Sequence, residues 1–178
     1  MTVLIIGTPD SGKSEKAEET ALFLAQDKKK YYIATMIPYG EEGKKRVEKH
    51  LKLREGKNFI TIEKPVDVHE LADEIPDLKK STCLLECMSN LIGNEMHREG
   101  ALDLEELPEH ISRSVMKLAD SCGDLVIVSN SFPMDDPDYD EDTRNYVRLV
   151  RAVNDDLRRR ADRVYELTKG EWTVSENI

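Results

Sequence analysis

The run Gly7-Thr8-Pro9-Asp10-Ser11-Gly12-Lys13-Ser14 follows the spacing GxxxxGK[ST] in full. Residues of these types in this order can hold a polyphosphate. The glycines let the chain turn so that backbone N–H groups face inward, and a helix N-terminus adds partial positive charge where a β-phosphate would lie. Lys13 can span the β- and γ-phosphates, and the Ser14 hydroxyl can ligate Mg²⁺. Asp10 brings a carboxylate close to that density, so it should point outward. Such a loop also wants an acid at the end of a neighbouring strand to order the metal's water shell. Glu86, directly after Leu84-Leu85, is the best candidate; its alternative is a strand-end carboxylate facing water. A chance match to the motif is the alternative for the loop itself, and the motif's setting between a strand and a helix weighs against it.

The elements needed to position these groups are legible in the hydrophobic pattern. Val3 to Ile6, Tyr31 to Ala34, Phe59 to Ile62, Thr82 to Glu86, Leu125 to Ser129 and Arg163 to Leu167 read as strands. Lys13 to Ala25, Leu107 to Ala119 and Thr143 to Arg160 carry apolar residues at helical spacing, and Gly40 to Gly56 reads as a solvated helix. Asp67 with Glu70 three residues later has the form of a capping box, with Val66 able to staple onto Leu71, for a helix reaching about Ile75. Continuous apolar strands separated by helices predict a largely parallel sheet covered on both faces, in one α/β domain spanning 1–178.

Composition narrows the classes. The 178 residues carry 26 Lys and Arg against 36 Asp and Glu, a formal charge of -10, which argues against a broad nucleic-acid surface. No apolar run approaches the roughly 18 residues of a membrane span. The start Met1 to Ile6 lacks the features of a secretory leader. Three cysteines, Cys83, Cys87 and Cys122, leave an odd thiol and suggest a reducing compartment, so a cytoplasmic location is expected. Cys83 and Cys87 flank a strand and have no nearby His, which disfavours zinc. His69, His97 and His110 read as surface helix residues, Arg158-Arg159-Arg160 as a solvated helix end, and Trp172 as a packing residue rather than a base-stacking one.

Beyond the phosphate loop, the chain resembles the bifunctional adenosylcobinamide kinase/adenosylcobinamide-phosphate guanylyltransferase family. Tyr32-Ile33-Ala34-Thr35 looks like that family's strand end. Arg46 to Arg54 is similar to its Arg-Ile-x-x-His-Arg-x-x-Arg segment, with Leu51 in place of an arginine. Thr61-Ile62-Glu63-Lys64-Pro65 resembles its Thr-x-Glu-x-Pro turn. Leu84 to Ser89, Asn94, and Arg144 to Leu167 continue the ordered likeness. The resemblance implies a P-loop NTPase-like three-layer α/β sandwich, usually assembled as a homotrimer. It implies ATP or GTP with Mg²⁺ and a corrinoid acceptor, adenosylcobinamide, first phosphorylated and then given GMP through a guanylylated histidine in cobalamin biosynthesis.

His50 matches that histidine. A neutral imidazole is a good nucleophile toward an α-phosphorus and leaves easily afterwards. Arg46 and Arg54 lie four residues to either side, so on a helix they flank it and could neutralise triphosphate charge. A surface helix with ordinary basic residues is the alternative. By resemblance, Ala34, Thr35, Arg46, Arg54, Glu63 and Glu86 join residues 7–14 in the nucleotide site, with Lys13 and His50 catalytic and Ser14 and Glu86 at the metal.

One stretch departs from the family. Where Thr-Asn-Glu-Val-Gly-x-Gly-Ile-Val-Pro is usual, this chain has Ser129-Asn130-Ser131-Phe132-Pro133-Met134-Asp135-Asp136-Pro137-Asp138. The Glu and both glycines are gone, and further acids follow at Asp140, Glu141 and Asp142. The last of these suit the next helix's N-terminus. A kinase of another small molecule, or a nucleotide-binding scaffold with little turnover, therefore stay open as alternatives.

Overall fold

A computed structural model describes residues 1–177. Six strands, β1 (Thr2–Gly7), β2 (Lys29–Ala34), β3 (Phe59–Glu63), β4 (Ser81–Glu86), β5 (Asp124–Asn130) and β6 (Arg163–Thr168), pair in parallel. A seventh, β7 (Glu171–Glu176), pairs antiparallel with β6. The order is β3-β2-β4-β5-β1-β6-β7. The expected strands are present within a residue or two at their ends. Alternate residues of each strand face opposite layers. Val3, Ile5, Leu84, Val126 and Val128 pack under Ala17 and Ala21 of α1 (Lys13–Ala25). Leu4, Ile6, Cys83, Leu85 and Ile127 pack on the other face. That face is covered by α4 (Met88–His97), α5 (Leu107–Ser121) and α6 (Glu141–Arg160). The result is the expected three-layer α/β sandwich. Each fully buried Leu or Ile stabilises it by about 1.5–3 kcal/mol.

Parallel pairing also aligns the strand ends. Ala34 is in register with both Glu63 and Glu86, and Gly7 with Asn130. The residues that could do chemistry therefore share the C-terminal edge of the sheet, where open α/β sheets bind ligands. The helix α2 (Gly40–Leu53) stands over this edge and has no buried residue, as its charge pattern predicts.

The Asp67 cap is not formed. Asp67 has φ 52° and ψ 44°, in the left-handed region, and its side chain makes no cap bond. Its carboxylate instead accepts from Arg98 at 2.8 Å, while Glu70 is held by Lys64 at 2.6 Å. The segment is a 3₁₀ turn, Val68–Glu70, followed by the single turn α3 (Leu71–Glu74). Arg98 and Glu95, distant in sequence, took the side chain and the backbone N–H of Asp67, and Lys64, six residues before Glu70, took Glu70. Three elements were not expected: α4, β7 and a 3₁₀ turn at Leu78–Lys80.

Asp124 closes the opposite edge of the sheet. It is 7% exposed and accepts from Lys28 Nζ at 2.7 Å, the terminal ammonium at 3.1 Å and Thr82 Oγ1 at 3.2 Å. Burial alone would raise its pKa, but the hydrogen bonds and charges of Lys28 and the terminal ammonium outweigh burial and hold it below the usual range. A depressed carboxyl contributes stability above its unfolded pKa, and that stability is lost as pH falls through the folded one. Asp124→Asn should therefore cost about 1–3 kcal/mol at neutral pH. In urea titrations the difference from the parent should shrink on acidification below about pH 4.

Candidate active site

The phosphate loop joins β1 to α1. A Cβ on Gly7 would lie 2.6 Å from Ser11 Oγ, so the turn has no room for a side chain there without moving Ser11. Gly12 has φ 83°, a conformation glycine adopts at little cost. Asp10 also takes a positive φ of 56° and is exposed, which suits the outward placement expected of it. Thr8 and Pro9 are exposed beside it. Gly12 caps α1 with no side-chain bond, so the first helical N–H groups keep their capacity to bind an anion. Lys13 is 8% exposed and its Nζ donates to Thr8 O at 3.0 Å, across its own loop. Burial lowers its pKa, against the opposing influence of Cys87, Glu86 and Asp10. A buried ammonium held only by a carbonyl gains when a polyanion arrives. Ser11 Oγ is buried without a hydrogen-bond partner.

Glu86 is the centre of the arrangement. It ends β4 and is 8% exposed. Ser14 Oγ donates to its Oε1, and Tyr32 Oη donates to its Oε2 at 3.3 Å. His50 Nδ1, from α2, lies 4.0 Å from Oε1. The guanidinium of Arg54, which caps α2, stacks 3.4 Å from the centroid of the Tyr32 ring and is 7% exposed. Burial, then the neighbouring Glu86, push the Tyr32 hydroxyl pKa well up, so it stays a donor. Both His50 Nδ1 and Arg54 Nη1 are buried without a hydrogen-bond partner. An unpaired buried guanidinium nitrogen costs about 1–3 kcal/mol or more, which an arriving anion can recover. The Ser14 hydroxyl and Glu86 carboxylate form an all-oxygen donor set, which fits a hard cation such as Mg²⁺.

The neighbouring strand ends are tied together. Thr35 Oγ1 donates to Cys87 O and accepts from Cys87 N, both at 2.8 Å. Asn94 Nδ2 donates to Thr35 O at 2.8 Å and Pro65 O at 2.9 Å. Asn130 Nδ2 donates to Ser89 Oγ at 2.6 Å, and Ser131 N donates to Gly7 O at 3.0 Å. Burial raises the Cys87 thiol pKa, as an inert cysteine would have it.

The structure thus brings Lys13, Ser14, Glu86, His50 and Arg54 to one edge, with Ala34 and Thr35 beside Glu86. Glu63 follows one strand further out, paired with Ala34 and exposed. Arg46 is exposed on α2. Residues four apart on a helix drift by about 40°, so Arg46 and Arg54 diverge by about 80° and only Arg54 turns inward. Sequence reasoning missed Tyr32 as the platform; its position two residues before Ala34 was the available signal. The altered loop is absorbed structurally. Phe132 packs 5.9 Å from Tyr146, and Asp140 accepts from Thr143 N at 2.8 Å as the cap of α6. His97 pairs with Asp142 at 3.0 Å. His110 does have acidic neighbours: Asp67, Glu95 and His110 place ligand atoms within 4.8 Å of one another. Arg98 already neutralises both carboxylates, at 2.8 and 2.9 Å.

Arg54→Met should separate stability from binding. It keeps a long side chain on the Tyr32 ring and removes the orphaned donor, so the thermal midpoint should hold or rise. Affinity for a magnesium triphosphate should fall about ten-fold, the loss of one charge-assisted contact. A differential scanning melt with parallel calorimetry checks both.

No helix among the described residues is long and apolar enough to cross a membrane. The fold is similar to a solved structure of the ATPase domain of G40P, with TM-score 0.57 and 13% identity, over 94% of this chain and 69% of that one. Comparison with curated proteins gives no match. The family model for cobinamide kinase / cobinamide phosphate guanyltransferase matches residues 3–174, and with the phosphate loop in place at this edge, the chain belongs to that family.

Proposed function

We propose that the protein is a nucleotide-dependent transferase that phosphorylates the aminopropanol hydroxyl of adenosylcobinamide with ATP or GTP, and then moves GMP from GTP onto that phosphate by way of His50. The family supports the chemistry. The observation that carries the reading is the convergence of Ser14, Tyr32, His50 and, through Tyr32, Arg54 on the buried Glu86 carboxylate.

In the first reaction the loop amides of residues 7–14 hold the triphosphate, and Lys13 exchanges Thr8 O for phosphate oxygens. The acceptor oxygen attacks the γ-phosphorus, the bond to the β-bridging oxygen breaks, and the nucleoside diphosphate leaves. Bound Mg²⁺ would neutralise phosphate charge; Ser14 and Glu86 would hold it. Arg54 Nη1 gains the partner it lacks. In the second reaction His50 Nε2 attacks the α-phosphorus and pyrophosphate leaves, forming a phosphoramidate. The acceptor's phosphate oxygen then displaces the imidazole. Glu86 is placed to hold the other ring nitrogen, after an approach of about 1 Å from the present separation. Arg46 supplies charge from the exposed side of α2, and Ala34, Thr35 and Glu63 border the nucleotide.

A second reading, phosphoryl transfer alone, is favoured by the loop at Ser131 to Asp138, where Glu and Gly residues usual in the family are replaced. Intact mass after incubation with Mg·GTP distinguishes the two. The first reading expects a GMP adduct in the parent and none in His50→Ala, with acceptor phosphorylation kept in the variant. An unmodified mass alongside a phosphorylated acceptor supports the second. Neither adduct nor phosphorylated acceptor contradicts both.

A further inference from the structure

Helix α2 carries His50 yet holds little in place by itself. It has no buried residue. His50 Nδ1 stands 4.0 Å from Glu86 and has no hydrogen-bond partner, so no bond from that nitrogen fixes the ring. After α2 the chain turns through residues 54–58, where Glu55, Gly56 and Asn58 are exposed, and enters β3 at Phe59. Gly56 takes φ 75°, a conformation glycine adopts freely, so the backbone of this turn does not by itself set the direction of the helix before it.

Two side chains leave the turn for the α1 side of the sheet. Arg54 lies over the ring of Tyr32, which Phe59 meets edge-on at 6.4 Å. Lys57 Nζ donates to Glu18 Oε2 on α1. Lys57 N also donates to Arg54 O at 3.0 Å, so both contacts belong to one closed turn. Glu18 is 4% exposed, and Lys57 is its one ion-pair partner among the described residues. A buried carboxylate with a single half-buried lysine is a weak source of stability, because desolvation cancels much of the attraction. It is a strong source of position, because leaving the carboxylate unpaired is costly.

The place of Glu18 on α1 connects this pair to the site. Ser14 and Glu18 are four residues apart, so they share a side of the helix about 6 Å apart along its axis. Ser14 donates to Glu86, the carboxylate that His50 faces. One contact fixes a point and two fix a direction: Arg54 holds the end of α2, and Lys57 aims it.

We propose that the Glu18–Lys57 ion pair is the latch that holds the C-terminal end of α2 to α1 and so sets His50 beside Glu86. Both are positioning residues for the histidine step, which rests on the reading of His50 as the group that carries GMP.

The test uses the full chain and the double variant Glu18→Gln/Lys57→Met, which leaves no buried charge alone. Hydrogen exchange reads α2 directly, intact mass reads the rate of GMP adduct formation from Mg·GTP, and phosphorylation of adenosylcobinamide from Mg·ATP reads the other step. In the variant the amides of 41–53 should exchange about ten-fold faster, with those of β1 and β4 unchanged. Adduct formation should slow about a hundred-fold, the cost of a misplacement near 1 Å, while phosphorylation is kept. Lys57→Arg, which keeps the pair, should restore the adduct. If the double variant does not fold, Glu18→Gln alone decides, with a smaller loss in the adduct step expected and no loss contradicting the latch. Adduct formation at the parental rate overturns it, as does equal loss of both activities with a lowered thermal midpoint, which marks mere structural support. No adduct in the parent overturns the histidine reading, and exchange then decides the latch separately: faster exchange in the variant supports it. Unchanged exchange of α2 overturns it in every case.

Discussion

A buried carboxylate held among hydroxyls, with an ammonium and a guanidinium nearby that lack full protein partners, is the constraint on which the active edge depends. Glu86 is fixed by the end of β4 and by donors from Ser14 and Tyr32. Arg54 is kept by the face of the same tyrosine ring, although one of its buried nitrogens has no acceptor. Lys13 makes do with a carbonyl of its own loop. Such an arrangement is poor as a stabilising device, because charges withdrawn from water recover their solvation only through well-made contacts. It makes sense as a preorganised receptor for a polyanion, whose oxygens complete what the protein leaves incomplete.

The rest of the fold serves that edge. Parallel register gathers the C-terminal ends of β1, β2, β4 and β5 along one edge: Ala34 pairs with Glu86, and Gly7 pairs with Asn130 about two residues further along, although none of these pairs is close in sequence. Two apolar layers make the sheet rigid, and the cross-links of Thr35 to Cys87 and Asn94 to Thr35 and Pro65 fix the strand ends against one another. Helix α2 differs: with no buried residue it is attached chiefly through its C-terminal turn, where His50 and Arg54 meet the site.

What could be read from sequence follows from how local each signal is. The loop at 7–14 is contiguous, and its spacing alone encodes its geometry. Glu86 was visible as the acid closing an apolar run, and His50 with Arg54 through helical spacing and family likeness. The Asp67 capping box failed because the decisive partners of Asp67, Arg98 and Glu95, are brought in by tertiary structure, while Lys64 nearby takes Glu70. Arg46 looked equivalent to Arg54 until helical drift and the Tyr32 ring separated them. β7 escaped because all its residues are exposed, yet the Lys169-Gly170 turn and the alternation of Trp172 with Val174 were hairpin signals. α4 follows β4 with no polar cap residue, leaving Met88, Leu91, Ile92 and Glu95 at helical spacing to mark it.

Two residues of the acidic stretch after β5 have clear structural places. Phe132 enters the core beside Tyr146, and Asp140 caps α6. The central claim concerns the loop and its lysine. Isothermal titration of the parent and of Lys13→Ala with Mg·ATP and Mg·GTP tests it most directly. Saturable heat in the parent, reduced at least about ten-fold in affinity by the substitution, is the predicted result. The absence of heat for either nucleotide in the parent, or equal affinity in the variant, would contradict it.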